Sequence, residues 1–238
     1  MAHRIYFVIV AAGGGTRFGG DIPKQFRQLA GKPVLCHSID AIKTFCGASE
    51  IDVRVILVLS PAGKDFWKSN GADSYPFVEI ADGGVSRAES VANALAMIES
   101  ESDYAGSIIM VHDAARPMLS QELLGRLMRA CSQDAQAVVP ALAPTDSLME
   151  KADICGAMPV DRSRFLAVQT PQAFLADTLI SAYRNQKDNL ARMTDEASVV
   201  FASTNSPIEY VDGDVRNIKI TNPADLPLAE ILLQQCSL

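Results

Sequence analysis

A segment rich in glycine and basic residues near the amino terminus has the composition of a phosphate-binding loop. The apolar run Ile5–Val10, typical of a buried strand, leads into three consecutive glycines at 13–15. Glycine adopts positive φ angles readily, and consecutive N–H groups in such turns form nests that bind anions, most often phosphate. Arg17 and Lys24 add two positive charges to the same segment. The segment therefore predicts binding of a polyphosphate.

Neither of two common nucleotide-binding patterns fits this loop. The dinucleotide pattern G-x-G-x-x-G, begun at Gly13, ends on Phe18, and the Walker pattern requires lysine where Gly20 stands. The remaining pattern, A-A-G-x-G-x-R with P-K-Q downstream, resembles the signature of nucleotidyltransferases that join a nucleoside triphosphate to a phosphorylated sugar or polyol. A purely structural turn would explain the glycines but not the two basic residues.

The carboxylate of Asp113 is a second candidate for chemistry. It follows the apolar run Ser107–Val111, which predicts a buried strand, and it lies between His112 and Arg116 in the segment V-H-D-A-A-R-P. Ligands of open α/β sheets bind at the carboxyl ends of the strands. A carboxylate at such an end, with these neighbours, is predicted to take part in ligand binding, and a helix cap or loop carboxylate is the alternative.

Two further glycines, at 83–84, precede a predicted helix. Ser86 and Glu89 have the spacing of a capping box, which predicts that a helix begins there. Glycines at a helix amino terminus make a corner that can receive an anion or a base. A well-capped helix with no ligand is the alternative.

Predicted strands and helices alternate through the first 140 residues and must position these candidates. The alternation predicts an α/β fold, Rossmann-like, with a mostly parallel sheet and helices on both faces. The 238 residues suit one large domain or two small ones, and a single domain over 1–238 is predicted. Later in the chain, short strands are predicted at Ile208–Val211 and Asn217–Thr221, and Asn222 is predicted to cap the last helix.

The alternation lapses between Ala141 and Val168. Prolines, charges and isolated apolar residues dominate this stretch. It is predicted to leave the sheet as a hairpin arm, which can bury little surface without a partner to pack on.

Composition excludes several classes of protein. The net charge of −7 argues against nonspecific binding to nucleic acid or to an anionic membrane, so a phosphate site must be a local basic pocket. The five cysteines are scattered, without a C-x-x-C pair, as in reduced thiols of the cytosol. No long apolar run suggests a membrane span. A cytoplasmic protein is expected.

Several motifs in this chain occur together, and in the same order, in one family. They are A-A-G-G-G-T-R-F, P-K-Q-F, G-G-x-x-R-A-E-S-V, V-H-D-A-A-R-P, V-D-R, T-P-Q-A-F, T-D-E-A-S and N-I-K-I-T. The chain closely resembles the 2-C-methyl-D-erythritol 4-phosphate cytidylyltransferases of the non-mevalonate isoprenoid pathway, from about Val8 to the final helix. The resemblance implies a fold of the nucleotide-diphospho-sugar transferase type with a protruding β-arm.

The resemblance implies that the substrate phosphate attacks the α-phosphorus of CTP, with Mg²⁺ or another divalent cation, and that pyrophosphate leaves. This nucleophile is already an anion, so neutralising charge matters more than a general base, and His112 is assigned a structural hydrogen bond. The implied roles are catalytic for Arg17, Lys24, Arg162 and Lys219, metal-binding for Asp113, and nucleotide-binding for Ala11, Ala12, Gly13, Gly84, Ser90, Ala114 and Lys219.

The resemblance also assigns an acceptor site and a homodimer. The implied acceptor contacts are Arg116, Ser147, Arg162, Thr170 and Thr194. In the family the arm, about 141–168 here, interlocks with a second subunit, so Arg162 would serve the neighbouring site. Val85 stands where the family often has an acidic residue, which puts one nucleotide contact in doubt, and Ser147 replaces a common threonine but keeps its hydroxyl.

Three alternatives remain open at this point. A related cytidylyltransferase could act on ribitol 5-phosphate or another polyol phosphate, and V-D-R with T-D-E-A-S favours methylerythritol phosphate. A Rossmann oxidoreductase would need the intact dinucleotide pattern that is missing here. A binding protein without catalysis would not need Arg17, Lys24 and Asp113 together.

Overall fold

Strand β1, the first element of the chain, runs through the centre of the main sheet. The structure, a computed structural model, describes residues 4–14, 18, 22–47, 51–131, 135–151 and 156–236. Within these ranges the strands are β1 (Arg4–Val10), β2 (Gln28–Leu29), β3 (Lys32–Pro33), β4 (Asp52–Leu59), β5 (Val78–Asp82), β6 (Ile108–Asp113), β7 (Ala137–Leu142), β8 (Met149–Lys151), β9 (Ala157–Pro159), β10 (Ala167–Val168), β11 (Gln172–Leu175) and β12 (Glu209–Asp212).

Helices flank this sheet on both faces. In the described ranges they are α1 (Val34–Gly47), α2 (Pro61–Asn70), α3 (Arg87–Glu99), α4 (Gln121–Cys131), α5 (Ala176–Asn185), α6 (Glu196–Thr204) and α7 (Asp225–Cys236). The predicted α/β fold with helices on both faces is confirmed.

The main sheet is mixed but mostly parallel. Its order is β5-β4-β1-β6-β11-β7; β10 continues beside β7 on the β11 side, and β12 pairs with the other edge of β7. Strands β4, β5 and β6 run parallel to β1, whereas β11 runs antiparallel to both β6 and β7. After β5 the chain returns across β1 to form β6, so the strand order reverses beside β1, where α/β sheets bind their ligands.

Alternate residues of β1 face two separate hydrophobic cores. Ile5, Phe7 and Ile9 pack with α1, α2 and α4, whereas Tyr6 and Val8 pack with α3, α5 and α6. Both sides of β1 are therefore buried, which explains why its sequence is a continuous apolar run rather than an alternating one.

Two predictions near the carboxyl terminus are wrong. Residues 217–221 form no strand, because side chains bind much of their backbone: the Asn217 carbonyl, for example, accepts hydrogen bonds from Arg116 and Gln169. Asn222 does not cap α7, which begins at Asp225. That start places Pro227 in the first turn, where a helix needs no N–H donor.

The predicted excursion from the sheet is a two-stranded hairpin. Its strands β8 and β9 pair antiparallel, while the flanks of the excursion, Ala141–Leu142 and β10, pair within the main sheet. Several large apolar side chains of the excursion and of β10 are more than two-fifths exposed: Met149, Met158, Phe165, Leu166 and Val168. The excursion therefore presents an apolar surface that the described residues of this chain do not cover.

No helix within the described part of the chain is both long and apolar enough to cross a bilayer.

The buried face of β11 gives a test of the packing. Phe174 is fully buried, so Phe174→Ala should lower the free energy of unfolding by about 3–5 kcal/mol in urea titration. The control is Phe201→Ala on α6, where the ring is 50% exposed and a change within about 0.5 kcal/mol is expected. Equal losses in the two variants would contradict this packing.

Candidate active site

A cavity of about 380 Å³ opens at the carboxyl ends of the parallel strands, beside β1. The pairing of β1 with β6 sets Val10 opposite Asp113, so the glycine-rich loop and the carboxylate leave the sheet side by side. The lining residues are Val10, Ala11, Ala12, Gly13, Gly14, Phe18, Lys24, Gln25, Gly84, Val85, Ser86, Arg87, Ser90, Asp113, Ala114, Ala115, Lys219 and Thr221.

The described part of the glycine-rich loop offers space and N–H donors. Gly13 and Gly14 do not adopt positive φ, contrary to expectation, and a Cβ on either would meet no atom within 4 Å. Within the described residues, the backbone N–H groups of Ala12, Gly13 and Gly14 have no acceptor. The loop can therefore receive an anion against its backbone.

The side chain of Gln25 holds this loop from beneath. Its amide Nε2 donates to the carbonyl oxygens of Ala11, at 2.7 Å, and Gly13, at 2.8 Å. Gln25 is only 4% exposed, so these bonds form away from solvent. The third residue of the P-K-Q motif thus fixes the loop carbonyls and leaves the N–H groups for a ligand.

The second pair of glycines closes the opposite wall of the cavity. A Cβ on Gly83 would lie 2.4 Å from the Cβ of Ala12, so only glycine allows this close approach of the two loops. Ser90, on α3, accepts a hydrogen bond from the Gly84 N–H and donates to the Ser86 carbonyl. The Ser90 hydroxyl therefore links the loop at Gly84 to the start of α3.

Asp113 lies between two cations at the end of β6. Lys219 Nζ donates to Oδ2 at 2.6 Å, while Arg87 donates from Nε and Nη2 to Oδ1 at 3.2 and 3.1 Å. Burial by itself raises the pKa of Asp113, but the charges of Arg87 and then Lys219 outweigh it and hold the pKa well below its usual range. Asp113 is therefore ionised at neutral pH.

Behind Asp113, Arg87 also binds a fully buried carboxylate. Its Nη1 donates to Glu196 Oε1 at 2.6 Å, and the hydroxyl of Tyr183 donates to the same oxygen at 3.2 Å. Burial lowers the pKa of Arg87, but Glu196 and Asp113 reverse this effect and raise it above the ordinary value. The guanidinium therefore stays charged between the two carboxylates.

His112 has a structural role in this site. Nε2 faces only the carbonyl oxygen of Arg116, at 3.0 Å, and therefore carries the proton. The Thr170 hydroxyl then accepts from the Asp113 N–H and donates to Nδ1. Burial lowers the pKa of His112 to about 4, so the ring is neutral at neutral pH, and both of its nitrogens are engaged in these hydrogen bonds.

A divalent cation would find one suitable ligand on the cavity wall. Asp113 is ionised and faces the loop that is suited to phosphates, and Mg²⁺ is commonly held by one or two carboxylates together with substrate phosphates and water. Among the described residues, no group of three or more His, Cys, Asp or Glu side chains could form a site by itself. The residues thus fit a cation that is shared with a bound polyphosphate.

Comparison with known proteins connects this geometry to one family. A family model for 2-C-methyl-D-erythritol 4-phosphate cytidylyltransferase matches residues 5–235. The proteins of that name from Azobacteroides pseudotrichonymphae and Bacteroides thetaiotaomicron are 39% and 37% identical, over 96% and 95% of this chain and 98% of each relative. This chain belongs to the 2-C-methyl-D-erythritol 4-phosphate cytidylyltransferase family.

A solved structure of the cytidylyltransferase family agrees with the fold. The crystal structure of the 2-C-methyl-D-erythritol 4-phosphate cytidylyltransferase from Thermus thermophilus is 30% identical and superposes with a TM-score of 0.74. The superposition covers 98% of this chain and 100% of the other.

All seven residues that the cytidylyltransferase resemblance assigns to the nucleotide line the cavity, together with Lys24, assigned to catalysis, and Asp113, assigned to the metal. The seven are Ala11, Ala12, Gly13, Gly84, Ser90, Ala114 and Lys219. Lys24 Nζ donates to the Ile220 carbonyl at 2.6 Å, which holds it beside Lys219. Arg17 lies outside the described residues, so its expected role stays a prediction.

The residues assigned to the acceptor do not converge within one chain. Arg116 and Thr170 lie outside the lining set: Arg116 Nη1 donates to the Asn217 carbonyl at 2.7 Å, and Thr170 is 5% exposed. Thr194 is exposed beside α6, and Ser147 and Arg162 are exposed on the arm, where Arg162 donates to the Thr145 carbonyl. Their acceptor roles stay predictions.

Four residues of the site were not assigned a role from sequence. Gln25 and Arg87 lie within quoted motifs, and so do Gln172 of T-P-Q and Glu196 of T-D-E-A-S. Gln172 accepts from the Ala197 N–H and donates to Asp195, so the two motifs hold each other. The contact between Arg87 and Glu196 joins two distant motifs, so no local sequence pattern predicts it.

The contacts of Gln25 predict a specific loss in nucleotide binding. Gln25→Leu removes both loop hydrogen bonds, so we expect weaker CTP binding in calorimetry and a free energy of unfolding lower by about 1–3 kcal/mol. Gln121→Leu is the matched control, because Gln121 Nε2 donates to the Ala41 carbonyl outside the cavity. Equal CTP affinities in the two variants would contradict the role given to Gln25.

Proposed function

We propose that this protein transfers the cytidylyl group of CTP to 2-C-methyl-D-erythritol 4-phosphate and releases pyrophosphate. Family membership supports the reaction. The observation that carries the mechanism is the cavity in which Lys24, Lys219 and Asp113 face the N–H groups of the glycine-rich loop. Such a site is suited to a triphosphate and to a cation that bridges its oxygens.

The reaction requires placement of anions rather than proton transfer. An oxygen of the acceptor phosphate forms a bond to the α-phosphorus, and the bond from that phosphorus to the β-phosphate oxygen breaks with its electron pair. The attacking oxygen is already anionic. This scheme needs no general base, and the structural role of the buried, neutral His112 is consistent with that.

The cavity residues divide into two groups by chemistry. Lys24 and Lys219, with Arg17, neutralise the charge that develops on the α-phosphate and the leaving pyrophosphate. The backbone at Ala11, Ala12, Gly13, Gly84, Ser90 and Ala114 lines the nucleotide. Mg²⁺, when bound through Asp113, would reduce repulsion between the phosphates.

The acceptor is proposed to bind between two subunits. Arg116, Thr170 and Thr194 would belong to one subunit, and Ser147 and Arg162 would come from the arm of the other. The exposed apolar side chains of the arm support this proposal, because a second chain would bury them. The protein would then be a homodimer in which each site takes a basic residue from its neighbour.

The proposal also covers the binding partners and the cellular location. The net charge of −7 supports small anionic substrates in a local pocket and no nucleic-acid partner. A cytoplasmic location, and the lack of any membrane partner, stay predictions.

The decisive experiment measures pyrophosphate released from CTP and MgCl₂ with either 2-C-methyl-D-erythritol 4-phosphate or ribitol 5-phosphate. Release only with the first acceptor is expected, and ATP should not replace CTP. Release only with ribitol 5-phosphate would favour a related polyol-phosphate cytidylyltransferase. No release with either acceptor would favour a binding protein.

Lys24 gives the sharpest single substitution. Lys24→Ala should lower kcat for pyrophosphate release by about a hundredfold or more, because it removes a donor aimed at transition-state charge. Lys187→Ala, on an exposed turn between α5 and α6, should leave kcat unchanged. A Lys24→Ala variant with wild-type kcat would remove this residue from the mechanism.

The shared acceptor site predicts complementation between two inactive variants. A dimer of one Lys24→Ala subunit and one Arg162→Ala subunit contains one intact site only if Arg162 serves the neighbour. Equal mixing with subunit exchange should then restore about a quarter of wild-type activity. No recovery, although mass measurement shows exchanged dimers, would mean that Arg162 serves its own chain.

A further inference from the structure

Glu196 is a buried carboxylate whose presence packing alone does not explain. It is fully buried, and its Oε2 has no hydrogen-bond partner within the described residues. Burying a carboxyl group with one unsatisfied oxygen opposes folding, and apolar residues often replace a whole buried ion pair without loss of stability. A functional reason for the acid is therefore needed.

The position of Glu196 is held firmly at the start of α6. Asp195 accepts the Ser198 N–H in a capping box, and Gln172 binds both Asp195 and the Ala197 N–H. The helix amino terminus favours negative charge on its first residues. These contacts fix the Glu196 backbone, so its side chain meets Arg87 at a defined place.

Arg87 binds the two carboxylates in an uneven way. A guanidinium opposite a single carboxylate commonly binds both of its oxygens as a fork. Here Nη1 is taken by Glu196, and both bonds to Asp113 reach the same oxygen, Oδ1. The other oxygen, Oδ2, is left to Lys219 on the cavity wall.

We propose that Glu196 is a positioning residue of the nucleotide site: it holds Arg87 from behind, so that Arg87 binds only one oxygen of Asp113. The second oxygen then faces the cavity and Lys219. The proposal deepens the function proposed above and rests on it for its kinetic part. It makes the glutamate of T-D-E-A-S part of the nucleotide site, while the threonine of that motif stays with the acceptor.

The consequence of removing the charge follows from this geometry. In Glu196→Gln, Arg87 loses its charged partner and is free to bind both oxygens of Asp113 in competition with Lys219. In this variant the two cations, Arg87 and Lys219, share a single carboxylate, that of Asp113. The remaining carboxylate is then less available to a cation that accompanies CTP.

The kinetic test compares Glu196→Gln with Val199→Ala, a substitution of a fully buried core residue on the same helix. We expect Glu196→Gln to raise the KM for CTP, at fixed MgCl₂, by about tenfold or more. Val199→Ala should lower the unfolding midpoint but keep the wild-type KM. A Glu196→Gln protein that is folded and has a wild-type KM would overturn the proposal.

A double substitution separates positioning from general damage. If Glu196 acts through Arg87, adding Glu196→Gln to Arg87→Leu should leave the KM for CTP where Arg87→Leu alone puts it. Effects that multiply would overturn the proposal, because Glu196 would then act independently of Arg87.

A crystal structure tests the role of Glu196 independently of the proposed enzymatic function. In a crystal structure of Glu196→Gln without nucleotide, Arg87 should bind both oxygens of Asp113. An unchanged Arg87–Asp113 arrangement would overturn the proposal. If wild-type protein releases no pyrophosphate with any acceptor, the proposed function fails, and this structure still decides the role of Glu196.

Discussion

The site depends on one ionised carboxylate at the end of a buried strand. Asp113 is only 9% exposed, and it keeps its charge because Arg87 and Lys219 bind its two oxygens. A buried charge without such partners would be very costly. The cations come from the start of α3 and from the segment before α7, so the sheet, its crossover and the carboxyl-terminal segment must all be in place for the site to form.

The topology of the sheet explains why the site lies where it does. β1 and β6 are parallel neighbours, so their carboxyl ends bring the glycine-rich loop and Asp113 together. The reversal of strand order beside β1 separates the following loops and opens the cavity between them. The two hydrophobic cores on either side of β1 make this edge rigid, which suits a reaction that depends on placing anions in line.

The arm has the opposite physical character. It contains a short hairpin, and several of its large apolar side chains are exposed, whereas those at the centre of the sheet are buried. Two short strands are marginal on their own. The cavity beside β1 is thus built within one chain, whereas the proposed acceptor contacts on the arm lie apart from it.

Local sequence was sufficient for what depends on local physics. Apolar runs predicted the parallel strands, the capping box at Ser86 predicted the start of α3, and the glycine-rich loop with Lys24 indicated a binding site where the structure has a cavity. It failed where tertiary contacts replace local ones: the backbone at 217–221 is bound by side chains instead of a strand, and Pro227 delays the start of α7. Motif order was sufficient to identify the family.

Only the tertiary structure decided which charges meet. Lys219 reaches Asp113 across 106 residues, and Arg87 reaches Glu196 across 109. Spacing in sequence carries no information on such pairs, because their separation is set by the crossover connections of the sheet and by where α6 begins. The sequence by itself determined most of the strands and helices, the composition of the glycine-rich loop and the family. The fold determined that one arginine joins two carboxylates, because charges this buried are stable only where distant segments bring their partners to them.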